Sequence, residues 1–170
     1  MSEAPLAPDA DIRAAVVTIS TACARGDRED LAGPALAALV ERVGARVAGT
    51  EVIPDERELI EGRLRFWCDE GGCELVLTAG GTGLSPDAVT PEATAAVLER
   101  PVPGIAEAIR FFASREHTDE WMLSRGVAGA RGRSLIVNFP GDPSAIDQAG
   151  GAIEAALPRA LALLARRGAG

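Results

Sequence analysis

The run Ala14-Ala15-Val16-Val17-Thr18-Ile19-Ser20 has scarcely a position suited to water. A half-exposed strand alternates apolar and polar residues, whereas a strand this continuous must be covered on both faces. Leu75-Val76-Leu77-Thr78 and residues 134–139 have the same character, and residues 46–53 supply a fourth strand. Strands of this kind pair in a parallel sheet that helices cover above and below. The intervening segments provide the helices. Leu36, Leu39, Val40 and Val43 recur at helical spacing behind Gly33-Pro34, and Gly44 supplies the stop. Ile60, Leu64, Trp67 and Cys68 form a second apolar face that ends at Gly71-Gly72. Further helices start at Thr90-Pro91-Glu92 and after Pro103-Gly104, and a last one covers about 144–167 with a break near Pro158. The order β-α-β-α-β-α-α-β-α predicts an α/β fold: a three-layer αβα single domain over residues 12–167, with a largely parallel central sheet. Residues 1–11, proline-rich and without apolar periodicity, are expected to be a tail.

Composition limits the chemistry. All 17 basic residues are arginine; the chain has no lysine, no tyrosine, one histidine (His117) and one asparagine (Asn138). Schiff-base chemistry, a Walker-type lysine, a tyrosine nucleophile and a histidine-rich metal centre are thereby excluded. A net charge of −8 argues against nucleic acid as a partner. No apolar run is long enough to span a bilayer, so no membrane is expected. Cys23, Cys68 and Cys73 lack the spacing of a disulfide framework or a zinc site, and free thiols point to a cytoplasmic protein. His117 reads as a surface residue, and Trp67 and Trp121 as packing.

In parallel sheets ligands gather beyond the carboxyl ends of the strands. Three loops there, beginning at Pro54, Ala79 and Pro140, are chemically unusual. In Thr78-Ala79-Gly80-Gly81-Thr82-Gly83, three glycines let backbone N–H groups approach an anion, and Thr78 and Thr82 add hydroxyls. A plain tight turn is the competing reading; neither a Walker A loop nor a dinucleotide fingerprint is present. Asp55, three residues before Glu58, reads as a helix cap or as a carboxylate for Mg2+, and the two roles can coexist. Asp87 and Asp142 lie beside prolines, where aspartates commonly form turns. Ser124-Arg125-Gly126 offers a hydroxyl and a guanidinium to a phosphate, or is an ordinary surface turn.

Several separated motifs occur in one order: Asp30-x-x-Gly33-Pro34, Ile53-Pro54-Asp55-Glu56, the Thr78 to Gly83 loop, Val89-Thr90-Pro91-Glu92, Leu123-Ser124-Arg125, and Asn138-Phe139-Pro140-Gly141-x-Pro143. Together they resemble the molybdenum-cofactor biosynthesis family of molybdopterin adenylyltransferases over roughly residues 13–164. The resemblance implies a homotrimer that takes molybdopterin and ATP as substrates and Mg2+ as cofactor. It implies attack of the molybdopterin phosphate on the α-phosphorus of ATP, with release of pyrophosphate. It also assigns Asp55 to Mg2+ and to catalysis. Thr78, Gly80, Gly81, Thr82, Gly83, Ser124, Asn138, Pro140 and Gly141 are assigned to substrate.

One stretch departs from the family pattern. The acidic residue that stands two positions before Thr-Pro in relatives aligns with Ala88, and Asp87, one residue earlier, is the catalytic candidate in its place. Asp142 adds a negative charge where relatives are often neutral. A second reading follows from these departures: a molybdopterin-binding protein with impaired catalysis.

Overall fold

Arg13–Ile19 form β1, which pairs in parallel with strands on both sides and is buried from its second residue onward. The computed structural model describes residues 11–113 and 119–166; the proposed tail and His117 lie outside them, apart from Asp11. The other strands are β2 (Arg46–Ile53), β3 (Leu75–Ala79), β4 (Arg100–Pro101), β5 (Ala128–Arg131) and β6 (Ser134–Phe139). They form one sheet in the order β2-β1-β3-β6-β5-β4. The first four run parallel, β5 is antiparallel to β6, and β4 is antiparallel to β5.

The period-2 alternation of the strands divides the core into two apolar layers. Val16, Leu77 and Val137 face one layer with Leu36, Ile109 and Ile146. Those three come from helices α2 (Ala32–Arg42), α5 (Pro103–Ala113) and α6 (Pro143–Ile153). Val17, Val76 and Ile136 face the other layer with Ile60, Leu64 and Val97, from helices α3 (Arg57–Arg65) and α4 (Thr90–Val97). The three-layer α/β expectation therefore holds.

Several local expectations change. A short helix, α1 (Thr21–Ala24), begins directly after β1 with Ser20 as its N-cap. The helix that starts at Arg57 ends in a π-helical turn, Phe66–Glu70. There Trp67 packs on β2: a Cβ on Gly49 would stand 2.3 Å from its indole ring. The last helix is two, α6 and α7 (Leu157–Ala165). Its break precedes Pro158, which sits in the first turn of α7, where a missing N–H leaves no hydrogen bond unmade. β4 and β5 were not anticipated.

Register brings the strand ends level. Ile19 lies opposite Ile53, Thr18 opposite Ala79, and Ala79 opposite Phe139. The loops 20–31, 54–56, 80–89 and 140–142 consequently leave the sheet along one edge.

Candidate functional site

Two clefts open at this edge, of about 630 and 390 Å³, and Thr82, Gly83 and Asp142 line both. The larger, the polar cleft, is distinguished by the charged and hydroxyl groups of Ser20, Arg28, Asp30 and Asp55 beside the glycines of the loop, with Ile19 and Leu31 also in its wall. The smaller is mainly apolar, with Leu84, Ile109, Trp121 and Leu123 around Arg110 and Ser124.

The glycine loop is shaped by close approach. Gly80 has φ +100°, and a Cβ there would stand 2.3 Å from the Ile19 carbonyl oxygen; Gly81 has φ +65°, and a Cβ would stand 2.3 Å from Thr90 Oγ1 and 3.1 Å from Asp55 Oδ1. Only glycine fits either position. The loop carbonyls are tied to protein donors. Thr90 N–H donates to Gly81 O at 3.1 Å and Arg125 N–H to Thr82 O at 2.8 Å; Arg125 Nε donates to Gly83 O at 2.9 Å. Gly80 N–H is committed to Phe139 O at 3.1 Å. The N–H groups of Gly81, Thr82 and Gly83 have no acceptor among the described residues. A row of uncommitted amides in a glycine-rich turn is an anion cradle.

Asp55 does not cap α3, whose N-cap is Glu56 with no side-chain bond. Its Oδ2 accepts from Thr21 N and Thr21 Oγ1, both at 2.9 Å, and its own N–H donates to Thr21 Oγ1 at 3.1 Å. This interlock joins the loops after β1 and β2 and leaves Oδ1, which takes no hydrogen bond from the described residues, beside Gly81. Asp142 is the N-cap of α6, accepting from Ser144 N at 2.9 Å and Ser144 Oγ at 3.0 Å. Asp30 is committed as well, to Thr18 Oγ1 and Gly33 N, both at 2.9 Å.

Thr78 and Asn138 do not reach the clefts. They are 0% and 2% exposed and form a closed network in which Asn138 Nδ2 donates to Thr78 Oγ1 at 2.9 Å and Thr94 Oγ1 at 3.0 Å. Asn138 Oδ1 accepts from Val127 N at 3.2 Å. The network bolts β3 to β6 and to α4 just before their loops, so both residues support the site from beneath. Pro140 and Ser124 line the apolar cleft, and Gly141 the polar one. Asp87, the catalytic candidate, does not share a cleft with Asp55: it is exposed on the outer turn and lines neither cleft, while Ala88 is the buried neighbour.

Arg125 is not available to a phosphate. Besides its two bonds to the loop, Nη2 donates to Ala88 O at 2.6 Å and Nη1 is paired with Glu92. The guanidinium holds the Glu92 carboxyl below the usual carboxylate range, chiefly through that hydrogen bond. The cation that does face the polar cleft is Arg28, whose Nη2 donates to Ser20 Oγ at 3.0 Å and which makes no ion pair among the described residues. It was missed because an arginine between Asp27 and Glu29 reads as a solvated charge run; Asp30-x-x-Gly33, which anchors that loop, was the available signal.

The family model for the probable molybdopterin binding domain matches residues 15–158. The molybdopterin adenylyltransferase of Helicobacter pylori (strain J99) is 37% identical over 155 residues, covering 90% of this chain and 88% of the relative. The molybdenum cofactor synthesis protein cinnamon of Drosophila melanogaster is 39% identical over 153 residues, which cover 88% of this chain but only 25% of that protein. The crystal structure of the molybdopterin biosynthesis enzyme MoaB from Thermus thermophilus superposes with a TM-score of 0.84 at 42% identity, covering 90% of this chain and 96% of that one. On fold, motif order and these matches, the chain belongs to the molybdopterin-binding family of molybdenum cofactor biosynthesis.

Proposed function

We propose that this chain is a molybdopterin adenylyltransferase of molybdenum cofactor biosynthesis. An oxygen of the molybdopterin phosphate attacks the α-phosphorus of ATP; the new P–O bond forms as the bond to the β-phosphate bridge breaks, and pyrophosphate leaves. The observation that carries this reading is the row of uncommitted amides at Gly81, Thr82 and Gly83 beside the open Asp55 Oδ1. Such transfers rest on positioning and charge neutralisation.

The polar cleft suits the triphosphate, and the apolar cleft, with Trp121 and Ile109, suits a flat heterocycle. Thr82, Gly83 and Asp142 belong to both, so the two phosphates meet along that shared wall. The loop amides orient the nucleotide, and Arg28 adds a mobile positive charge among carboxylates.

Asp55 fits Mg2+, because its Oδ1 stands beside Gly81 of the cradle and accepts no hydrogen bond from the described residues. Among the described residues no group of three acidic, histidine or cysteine side chains closes round a point. This matches an ion held by one carboxylate together with water and substrate oxygens. When bound, Mg2+ supplies neutralisation of the phosphate charge. Asp55, not Asp87, therefore carries the catalytic assignment.

The proposal includes a homotrimer in the cytoplasm. Val52, 40% exposed, lines a hollow at the β2 edge of the sheet that a second copy would cover. No helix among the described residues is long and apolar enough to cross a membrane, and the three cysteines are free thiols.

The test is direct. Purified protein given molybdopterin and Mg-ATP should yield adenylylated pterin and pyrophosphate in equal amounts. Pterin that binds but stays unmodified, where a bacterial relative turns over, overturns the transferase reading.

A further inference from the structure

We propose that Arg125 is a positioning residue of the phosphate cradle: its guanidinium seats residue 125 against Gly83, Ala88 and Glu92, so that its main-chain N–H holds the Thr82 carbonyl and keeps the cradle amides in their direction. The inference rests on the reading of the glycine loop as the phosphate site. In a trans peptide the C=O of one residue and the N–H of the next point in opposite directions. Fixing Thr82 O on the Arg125 amide thus aims Gly83 N–H the other way, and fixing Gly83 O on Arg125 Nε does the same for Leu84 N–H. Thr90 performs this service for Thr82 N–H by holding Gly81 O.

The loop has little stiffness of its own. Glycines at 80, 81 and 83 make peptide rotation easy, and residues 80–89 contain no regular element. A flipped Thr82 peptide would present a carbonyl oxygen to the anion in place of a donor, reversing the sign of the contact; the main-chain N–H of Arg125 opposes that flip while the guanidinium keeps residue 125 against the loop. Arg125 suits the task because its planar fork serves separate acceptors at once. Nε, Nη1 and Nη2 reach Gly83, Glu92 and Ala88, so one side chain joins the loop to the first turn of α4. A lysine provides the charge but not the fork.

Calorimetric titration with inorganic pyrophosphate in Mg2+ buffer separates this role from that of a plain ion pair. Arg125→Lys keeps a cation opposite Glu92 and the main-chain donor to Thr82 O, but loses the Nε and Nη2 bonds that seat residue 125 on the loop, and should weaken pyrophosphate about 10-fold, the effect of losing well-aligned hydrogen bonds. Glu92→Gln abolishes the ion pair but leaves the bonds to Gly83 and Ala88, and should stay within about 2-fold of wild type. A simple ion pair predicts the reverse order, and that order overturns the proposal. Should Arg125→Lys fail to fold, Glu92→Lys serves at the surface. It adds positive charge yet crowds the guanidinium, so about 3-fold weaker binding is expected, and tighter binding overturns the positioning role. Wild type that does not take pyrophosphate sinks the cradle reading and this inference together. Wild type that binds, with Arg125→Lys unchanged, sinks only the inference.

Discussion

The two clefts share a wall yet are built by different means. The polar one is made of main chain and polar or charged side chains with a few apolar neighbours, delivered chiefly by the loops that follow β1, β2, β3 and β6. The apolar one is made of side chains from α5, α6 and the 3-10 turn Asp119–Leu123. On the proposed reading the first would recognise charge through its loop amides, and the second a surface through shape. The same contrast separates two arginines. Arg125, behind the glycine loop, is fully engaged with protein groups, whereas Arg28, at the polar rim, has a single bond among the described residues, to Ser20. In a chain of net charge −8, anion binding depends on where each guanidinium points more than on how many there are.

The sharpest break between the clefts is expected at Asp55. Asp55→Asn keeps an oxygen for the Thr21 interlock and removes the charge offered to Mg2+. AMP transfer should fall by roughly 100-fold or more, while molybdopterin affinity, read by equilibrium titration without nucleotide, should hold. Equal loss in both measurements would show that the clefts are one functional unit.

The converse substitution is Trp121→Ala. It removes the largest ring from the apolar cleft and leaves the loop amides and Asp55 in place. Molybdopterin affinity should drop about 10-fold, with pyrophosphate affinity unchanged. A shift in pyrophosphate affinity of similar size would mean that Trp121 braces the shared wall.

The layered sheet was legible because burial on both faces leaves a continuous apolar run, as in 14–20 and 134–139. β5 was not: Ala128-Gly129-Ala130-Arg131 has no pattern, and its small residues are required by contact, a Cβ on Gly129 coming 2.7 Å from Arg100 O. The loops beginning at Pro54, Ala79 and Pro140 were correctly placed at the site edge, since proline and glycine mark strand ends. Side-chain commitments were not readable. Whether Asn138 binds substrate or bolts β3 to β6 depends on Thr78 lying opposite it and on Thr94 lying above, which is tertiary information. Arg125 illustrates the same limit, its acceptors lying 33 to 42 positions away.

The smallest effect expected is chemical labelling, which reads out the clefts without mutation. Cys23 is half-buried on the polar cleft, its thiol 3.7 Å from Glu29 O. Burial pushes the Cys68 thiol up to about 11 and raises that of Cys73 as well. Thiolate is the reactive form, so a raised pKa means less of it at a given pH: at pH 8 roughly one Cys68 in a thousand is ionised. Iodoacetamide should therefore modify Cys23 first, by peptide mass mapping. Pyrophosphate should slow that reaction about 2- to 5-fold by occupying the cleft. Molybdopterin without nucleotide should slow it less, because the proposed place of its ring is across the wall. Equal protection by both ligands would place the ring in the polar cleft and invert the assignment.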